Sequence, residues 1–145
     1  MRYLLLFSFC FCFSLADVFE VINIARSGMH VQQKKLEVIA ENVANLSTTK
    51  TLNGETYKQK QVVVKTDKAN NTPYVAKVIE RPANVQRVFD PSNPDADDEG
   101  YVSIVDNSLS KELVDMALTR RLYDANAAVF SSAKQLAQTI MNLGK

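Results

Sequence analysis

Between Ile22 and Leu46 the apolar residues fall at alternating steps of three and four, and this spacing constrains the chain more than any other feature. Ile22, Ala25, Met29, Gln32, Leu36, Ile39, Val43 and Leu46 recur at the half-heptad interval that places successive side chains on one seam of an α-helix. Gln32 is the one polar member of the set. At about 1.5 Å per residue such a helix is roughly 37 Å long, too long and too narrowly striped to be capped by a small domain of its own. It calls for a partner helix. The other segment with a helical period of comparable length lies at the opposite end, from about Ser110 to Leu143. Its apolar residues form two offset stripes, Leu113, Met116, Tyr123, Ala127 and Phe130 in one, and Leu122, Val129, Ala133, Leu136, Ile140 and Leu143 in the other. A helix apolar on two sides has more than one neighbour. One stripe is expected to meet the N-terminal helix of the same chain, and the other to meet copies of the chain or its relatives.

The expected fold class is therefore α+β: long N- and C-terminal helices paired as a coiled coil, with a small β subdomain between them. Residues 17–48 are read as the N-terminal helix, 49–108 as the β-rich part and 109–145 as the C-terminal helix. Contacts between subunits are expected at Ile22, Ala25, Met29, Leu36, Ile39 and Val43, and at Leu122, Val129, Leu136 and Ile140. Within the first helix Ser27-Gly28 interrupts the period, since Gly in a helix interior costs about 1 kcal/mol relative to Ala. A small residue there either lets another helix approach closely or marks a bend. Gln32 on the seam either fixes register or sits at a wet point. The period ends at Asn45-Leu46-Ser47-Thr48-Thr49, where Asn tolerates the left-handed conformation and Ser/Thr compete for backbone hydrogen bonds.

The middle of the chain changes pattern. Asn53-Gly54 is a tight-turn signal, followed by a β-prone run from Thr56 to Lys65 with valine at 62, 63 and 64. Asn70-Asn71-Thr72-Pro73 reads as a loop, and Tyr74 to Glu80, Val85 to Phe89 and Tyr101 to Val105 as short strands. Arg81-Pro82 breaks the run, because proline cannot donate to a ladder. Ser110 with Glu112 close behind is expected to open the C-terminal helix.

The first residues carry a different message. Arg2, an apolar run from Leu4 to Leu15, and small residues at Ser14 and Ala16 make the pattern of a secretory signal peptide over residues 1–16, cleaved after Ala16. The competing reading is an upstream start site that is never used. Both cysteines, Cys10 and Cys12, lie in this run, so a cleaved chain would hold no thiol. Without Arg2 the side-chain charges balance at 16 basic against 16 acidic, which leaves no electrostatic footprint for a phosphate backbone.

Signals for chemistry are weak. His30 is the single histidine and has no partner ligands in the sequence pattern. No nucleophile elbow, phosphate loop or dinucleotide fingerprint is present, so no enzyme activity, cofactor or small-molecule substrate is expected. Asp95, Asp97, Glu99, Gly100, Val102 and Asp106 approximate the spacing of a calcium loop, but Glu99 and Asp106 have the wrong identities for their places and a Pro-rich lead-in denies the flanking helix. A solvated acidic turn is the competing reading, and a secreted calcium-binding or adhesive module is the rival function. Asn45-Leu46-Ser47 and Asn70-Asn71-Thr72 match glycosylation acceptors, a match that arises readily by chance.

Four stretches carry a resemblance to a known family. Asn42-Val43-Ala44-Asn45, with Thr48 and Thr49, resembles the helix-ending signature of flagellar rod proteins. Asn53 to Lys60, the loop with Asp90, Pro91, Pro94, Asp95, Gly100 and Tyr101, and the closing Glu112 to Met116 with Arg121, Tyr123 and Asn126 resemble the same family in the same order. The resemblance covers about residues 17–145 and implies a structural subunit of the bacterial flagellum basal body. It further implies that paired terminal helices pack into a helical tube crossing the periplasm and serving motility. Implied partners are copies of itself, other flagellar rod proteins, and the flagellar export apparatus or secretion machinery; another rod protein of the same architecture is the nearest alternative. Ser110, Lys111, Asp124 and Asn93 depart from the family pattern, and the leader departs most, because rod proteins are expected to leave without a cleaved signal.

Overall fold

A computed structural model of the chain describes residues 2–51, 53–82, 85–105 and 108–143, with side chains described from residue 17 onward. Its elements run α1 (Arg2–Ala44), β1 (Lys60–Thr66), β2 (Pro73–Glu80), β3 (Val85–Phe89), β4 (Tyr101–Val105) and α2 (Leu109–Leu143). The architecture is α+β, two long helices with two small two-stranded sheets between them in sequence, β1 with β2 and β3 with β4. No helix among the described residues is long and apolar enough to cross a membrane. The side chains of the expected leader, including Cys10 and Cys12, lie outside the described residues, as does Asp106 of the calcium-loop reading.

The chain divides into two compact units. One gathers α1 up to Gln33, the β1–β2 turn from Val64 to Tyr74, and α2 from Arg121 onward. Here Val18 of α1 packs against Ala133 and Ala137 of α2, with Ile22 and Ile140 closing around them. Further along, the Gly28 backbone meets the side chain of Asn126. As α1 advances α2 recedes, so the two helices run antiparallel. Ala25, Gly28, Ala133 and Ala137 supply the small side chains that let the two backbones come close. The β1–β2 turn closes with Asp67 N donating to Thr72 O at 2.9 Å, and Asn71 takes the left-handed conformation at φ 53°.

The other unit holds α1 from Lys34, most of β1 and β2, the β3–β4 sheet, and the start of α2 up to Arg120. Its buried side chains are Val38, Asn42, Tyr57, Val102, Val105, Glu112 and Thr119, three of the seven polar or charged. β3 and β4 pair antiparallel in the register Val85 with Val105 through Phe89 with Tyr101. Their loop turns at Gly100, whose φ of 81° is left-handed. A Cβ there would lie 3.0 Å from Phe89 Cε2 and 3.2 Å from Pro91 Cβ, so this position requires glycine.

Two expectations are corrected at element ends. The tight turn at Asn53-Gly54 is present, with Gly54 N donating to Thr51 O at 2.9 Å, but it joins irregular segments; β1 begins only at Lys60. The residue before α2 is Ser108, whose carbonyl accepts from Glu112 N at 3.1 Å, so the helix opens two residues ahead of Ser110. Glu112 is spent elsewhere, as shown next.

Candidate functional site

On α1 the buried line is Val18, Ala25, Gly28, Val31, Val38 and Asn42. Of the expected contact residues Ala25 belongs to this line, and Ile22 packs on the Val18 cluster. Met29, Leu36, Ile39 and Val43 are half-buried, each one or two positions away from a residue on the line or its continuation. The apolar stripe is wider than a single seam. Ala25, Gly28 and the valines at 18, 31 and 38 are buried, and Met29, Leu36, Ile39 and Val43 form a flank that keeps part of its surface open. Gln32 lies on this stripe with its Oε1 buried and unpaired among the described residues.

α2 sorts its apolar residues by face. Tyr123, Ala127, Phe130, Ala133, Ala137 and Ile140 point inward or lie half-buried, which joins the first expected stripe to Ala133 and Ile140 of the second. What remains of the second stripe faces out: Leu122 is 42% exposed, Val129 48%, Leu136 51% and Leu143 78%. These four stand at seven-residue intervals, the repeat of a helix-packing seam, and none of them is buried among the described residues.

A polar node forms where α1 ends. Asn42 Oδ1 accepts from Tyr57 O–H at 3.0 Å and from Lys60 N at 2.9 Å, while its Nδ2 donates to Lys60 O at 3.0 Å. The buried amide thus pairs with both backbone groups of the first β1 residue, as a neighbouring strand would. Glu41 forms an ion pair with Lys60, and Gln59 Nε2 donates to buried Glu112 at 2.5 Å. Burial pushes the Tyr57 phenol up to about 12, with Glu41, Glu112 and Glu80 adding to the rise.

From that node a hydrogen-bonded run continues. Asn45 Nδ2 donates to Glu41 O at 2.8 Å, Thr48 Oγ1 to Asn45 Oδ1 at 3.1 Å, and Thr49 Oγ1 to Asp95 Oδ2 at 2.5 Å. Lys50 Nζ stands 3.4 Å from the other Asp95 oxygen. The Thr49 hydrogen bond first, and Lys50 after it, hold the Asp95 carboxyl below its usual range. Asn42, Asn45, Thr48, Thr49 and Asp95, picked from two distant stretches of sequence, are therefore one structure that ends α1 and ties it to the β3–β4 loop. Val43 and Ala44 complete the last turn of α1.

In that loop Asp90 accepts from Ser92 Oγ at 2.7 Å, and Pro91 packs toward Gly100. Tyr101 stacks edge-on against Phe89 at 5.2 Å, with the Arg87 guanidinium 4.8 Å over its ring. Pro94 leads into Asp95 in the same loop. Asp97 Oδ1 accepts from the backbone N–H groups of Glu99 at 3.0 Å and Tyr101 at 2.9 Å, and its Oδ2 pairs with Arg87. Its lone pairs are committed to the loop's own donors, which is the arrangement of a structural turn. Among the described residues no group of three His, Cys, Asp or Glu side chains is placed to hold a metal ion. Arg121 is exposed, Tyr123 half-buried, and Asn126 faces Gly28 with its Nδ2 donating to Leu122 O at 2.9 Å. Tyr57, Gln59 and Lys60 were singled out in the sequence only as carriers of the resemblance, and Glu112 as a carrier of it and as a helix-opening residue. A buried glutamate in the first turn of an amphipathic helix gives no periodic signal of its partner 53 positions away.

The family model described as "Flagella basal body rod protein" matches residues 22–50, the stretch that contains the whole α1 seam and its polar ending. The flagellar basal-body rod protein FlgC of Buchnera aphidicola is 32% identical over 135 residues, covering 89% of this chain and 99% of its own length. This chain belongs to the flagellar basal-body rod protein family. FlgC of Salmonella typhimurium is 34% identical over 130 residues, 87% of this chain and 97% of its own length, and FlgC of Bacillus subtilis is 29% identical over 147 residues. A FlgC-like rod protein is a structural subunit of the basal-body rod, and its relatives are structural proteins, not enzymes. The residues described above are accordingly those of a component that is built into a polymer, with self-assembly and other flagellar components as the partners the family implies.

Proposed function

We propose that this rod protein polymerises through its terminal helices. The α1–α2 pair, held as a coiled coil by Ile22, Ala25 and Ile140, presents two surfaces to neighbours: the outward row Leu122, Val129 and Leu136, and the half-buried flank Met29, Leu36, Ile39 and Val43. The observation that carries the reading is the outward row, four large apolar residues at heptad intervals left uncovered on a long helix. Covering such a row removes apolar surface from water at about 25 cal/mol per Å2, and a second helix is the shape that fits it. The neighbours are copies of this chain and other flagellar rod proteins in a periplasm-spanning tube.

Leu136→Asp places a charge in that contact, where it is desolvated without a partner. The exposed position keeps the fold intact, so circular dichroism of the variant is expected to match the parent while cells carrying it lose swimming and their basal bodies lose the subunit. Normal motility with this variant would refute the assignment of the row.

The same reading includes removal of residues 1–16 during secretion; the competing reading is an upstream start that is never used, so that residues 1–13 are never made. Its support is the sequence: Arg2, the apolar run from Leu4 to Leu15, and small residues at Ser14 and Ala16 make the pattern of a cleaved leader. Passage through the flagellar export apparatus or the general secretion machinery would differ in this step. N-terminal sequencing of the subunit from purified basal bodies is expected to begin at Asp17, and a chain beginning at Met1 would refute removal.

A further inference from the structure

Beside the outward row lies a second surface that the rod reading leaves unused. In the unit built from the start of α1, the β1–β2 turn and the end of α2, one face of α1 and the turn line an open cleft of about 1010 Å3. Phe19, Asn23, Arg26 and His30 stand on the helix side at intervals of three and four, and Asn70 and Tyr74 on the turn side. Phe19 is 48% exposed and Tyr74 45%. Neither the Arg26 nor the His30 side chain has a hydrogen bond or ion pair among the described residues, and the same holds for Asn23. The turn wall is firmly made, by the Asp67–Thr72 backbone bond and by Thr72 Oγ1 donating to Asn70 Oδ1 at 2.6 Å. The cleft is thus lined by two largely exposed aromatic side chains, Phe19 and Tyr74, and by hydrogen-bonding side chains of α1 that have no partner among the described residues.

We propose that this cleft seats the outward face of α2 from a second copy of the chain. The inference rests on the rod reading and supplies the acceptor surface that it lacks. A trough running along a helix face accepts another helix, laid in by residues at i, i+3, i+4 and i+7. The second half of α2 has the matching chemistry. Val129, Leu136 and Leu143 offer apolar side chains to Phe19 and Tyr74, and Ser132, Gln135 and Thr139 on the same outward side offer hydrogen-bonding groups to Asn23, Arg26 and His30. The face that enters the cleft carries no charge, because the one charged side chain between Ala125 and Leu143, Lys134, lies about 200° around the helix from Leu136. The last turn of α2 has no basic residue to offset its negative dipole end, and Arg26 and His30 are the donors available to meet it. Cleft and row are different patches of one molecule, so the contact is heterologous. A heterologous contact whose rotation does not close generates an open helical polymer, the form a rod requires.

Cysteine cross-linking between two co-expressed and separately tagged versions of the full chain tests this, with Cys10→Ser and Cys12→Ser in both. One version carries Asn23→Cys and the other Gln135→Cys, both at exposed positions. In assembled basal bodies an oxidant is expected to give a heterodimer bearing both tags, a product that no contact within one copy can form. Both versions incorporated with no mixed dimer would overturn the cleft as the acceptor while leaving the rod reading in place. Failure of either version, and of the unsubstituted chain, to enter basal bodies would overturn both.

Discussion

Gly28→Ala is the sharpest single perturbation of the helix pair. A Cβ added at Gly28 would lie 2.8 Å from Asn126 Oδ1 and 3.0 Å from both its Cγ and its Nδ2, whereas ordinary van der Waals contact begins near 3.4 Å. The whole amide is too close, so a small rotation of one atom does not relieve the clash. Asn126 is also anchored, its Nδ2 donating to Leu122 O at 2.9 Å, and moving the side chain forfeits that bond at about 0.5–1.5 kcal/mol. Overpacking of a well-made contact costs about 1–3 kcal/mol. Against these stands the gain of about 1 kcal/mol from replacing glycine by alanine in a helix interior. The clash wins, and the net change is a destabilisation of about 1–2 kcal/mol. For a chain of this length that lowers the thermal midpoint by about 2–8 °C, read by circular dichroism at 222 nm on the purified full chain. Asn126→Ala in the same background removes the obstruction and leaves the helix-propensity gain, so the double variant is expected to melt well above Gly28→Ala. The coupling between the two changes is then about 1–2 kcal/mol, within the range found for residues in contact. A rise in midpoint for Gly28→Ala alone would mean that propensity is the only effect at this site and that α2 does not approach α1 here.

Two further outcomes follow from the polar node. Asn42→Ala leaves the Tyr57 hydroxyl and both backbone groups of Lys60 without their partner in a buried site, and is expected to cost about 2–4 kcal/mol in urea denaturation, more than any apolar truncation of the half-buried flank. Spectrophotometric titration is expected to find one phenol, Tyr57, ionising near 12. Because its folded value is raised above the unfolded value, its contribution is whole below about pH 10 and is lost as pH rises from there toward 12, and Tyr57→Phe should flatten that part of the stability profile.

Much of this molecule is legible along the chain because its signals are local. Strands β3 and β4 span Val85–Phe89 and Tyr101–Val105, the limits expected from the sequence. The long amphipathic periods become α1 and α2, and the Asn-Val-Ala-Asn ending is a true helix end, because a period of three and four and the hydrogen-bonding habits of Asn, Ser and Thr are properties of neighbouring residues. Asp95, Asp97 and Glu99 read as part of a calcium loop for the same local reason, and only the donors that arrive from Thr49, Arg87 and the loop's own backbone show how those oxygens are used.

The facing of each stripe was decided in three dimensions. Successive residues on a helix differ by about 100° of rotation and residues four apart by about 40°, and a broad apolar stripe spans both, so spacing cannot choose between Gly28 and Met29, or between Ile140 and Leu136, as the inward residue. Close approach of two backbones chose the small side chains for the inside and left the heptad row of Leu122, Val129 and Leu136 outside. The pairing of Asn42 with Tyr57 and Lys60, and of Gln59 with Glu112, likewise has no periodicity to announce it. Such contacts exist because burying a polar group demands a partner, and which partner comes within reach is a property of the folded chain.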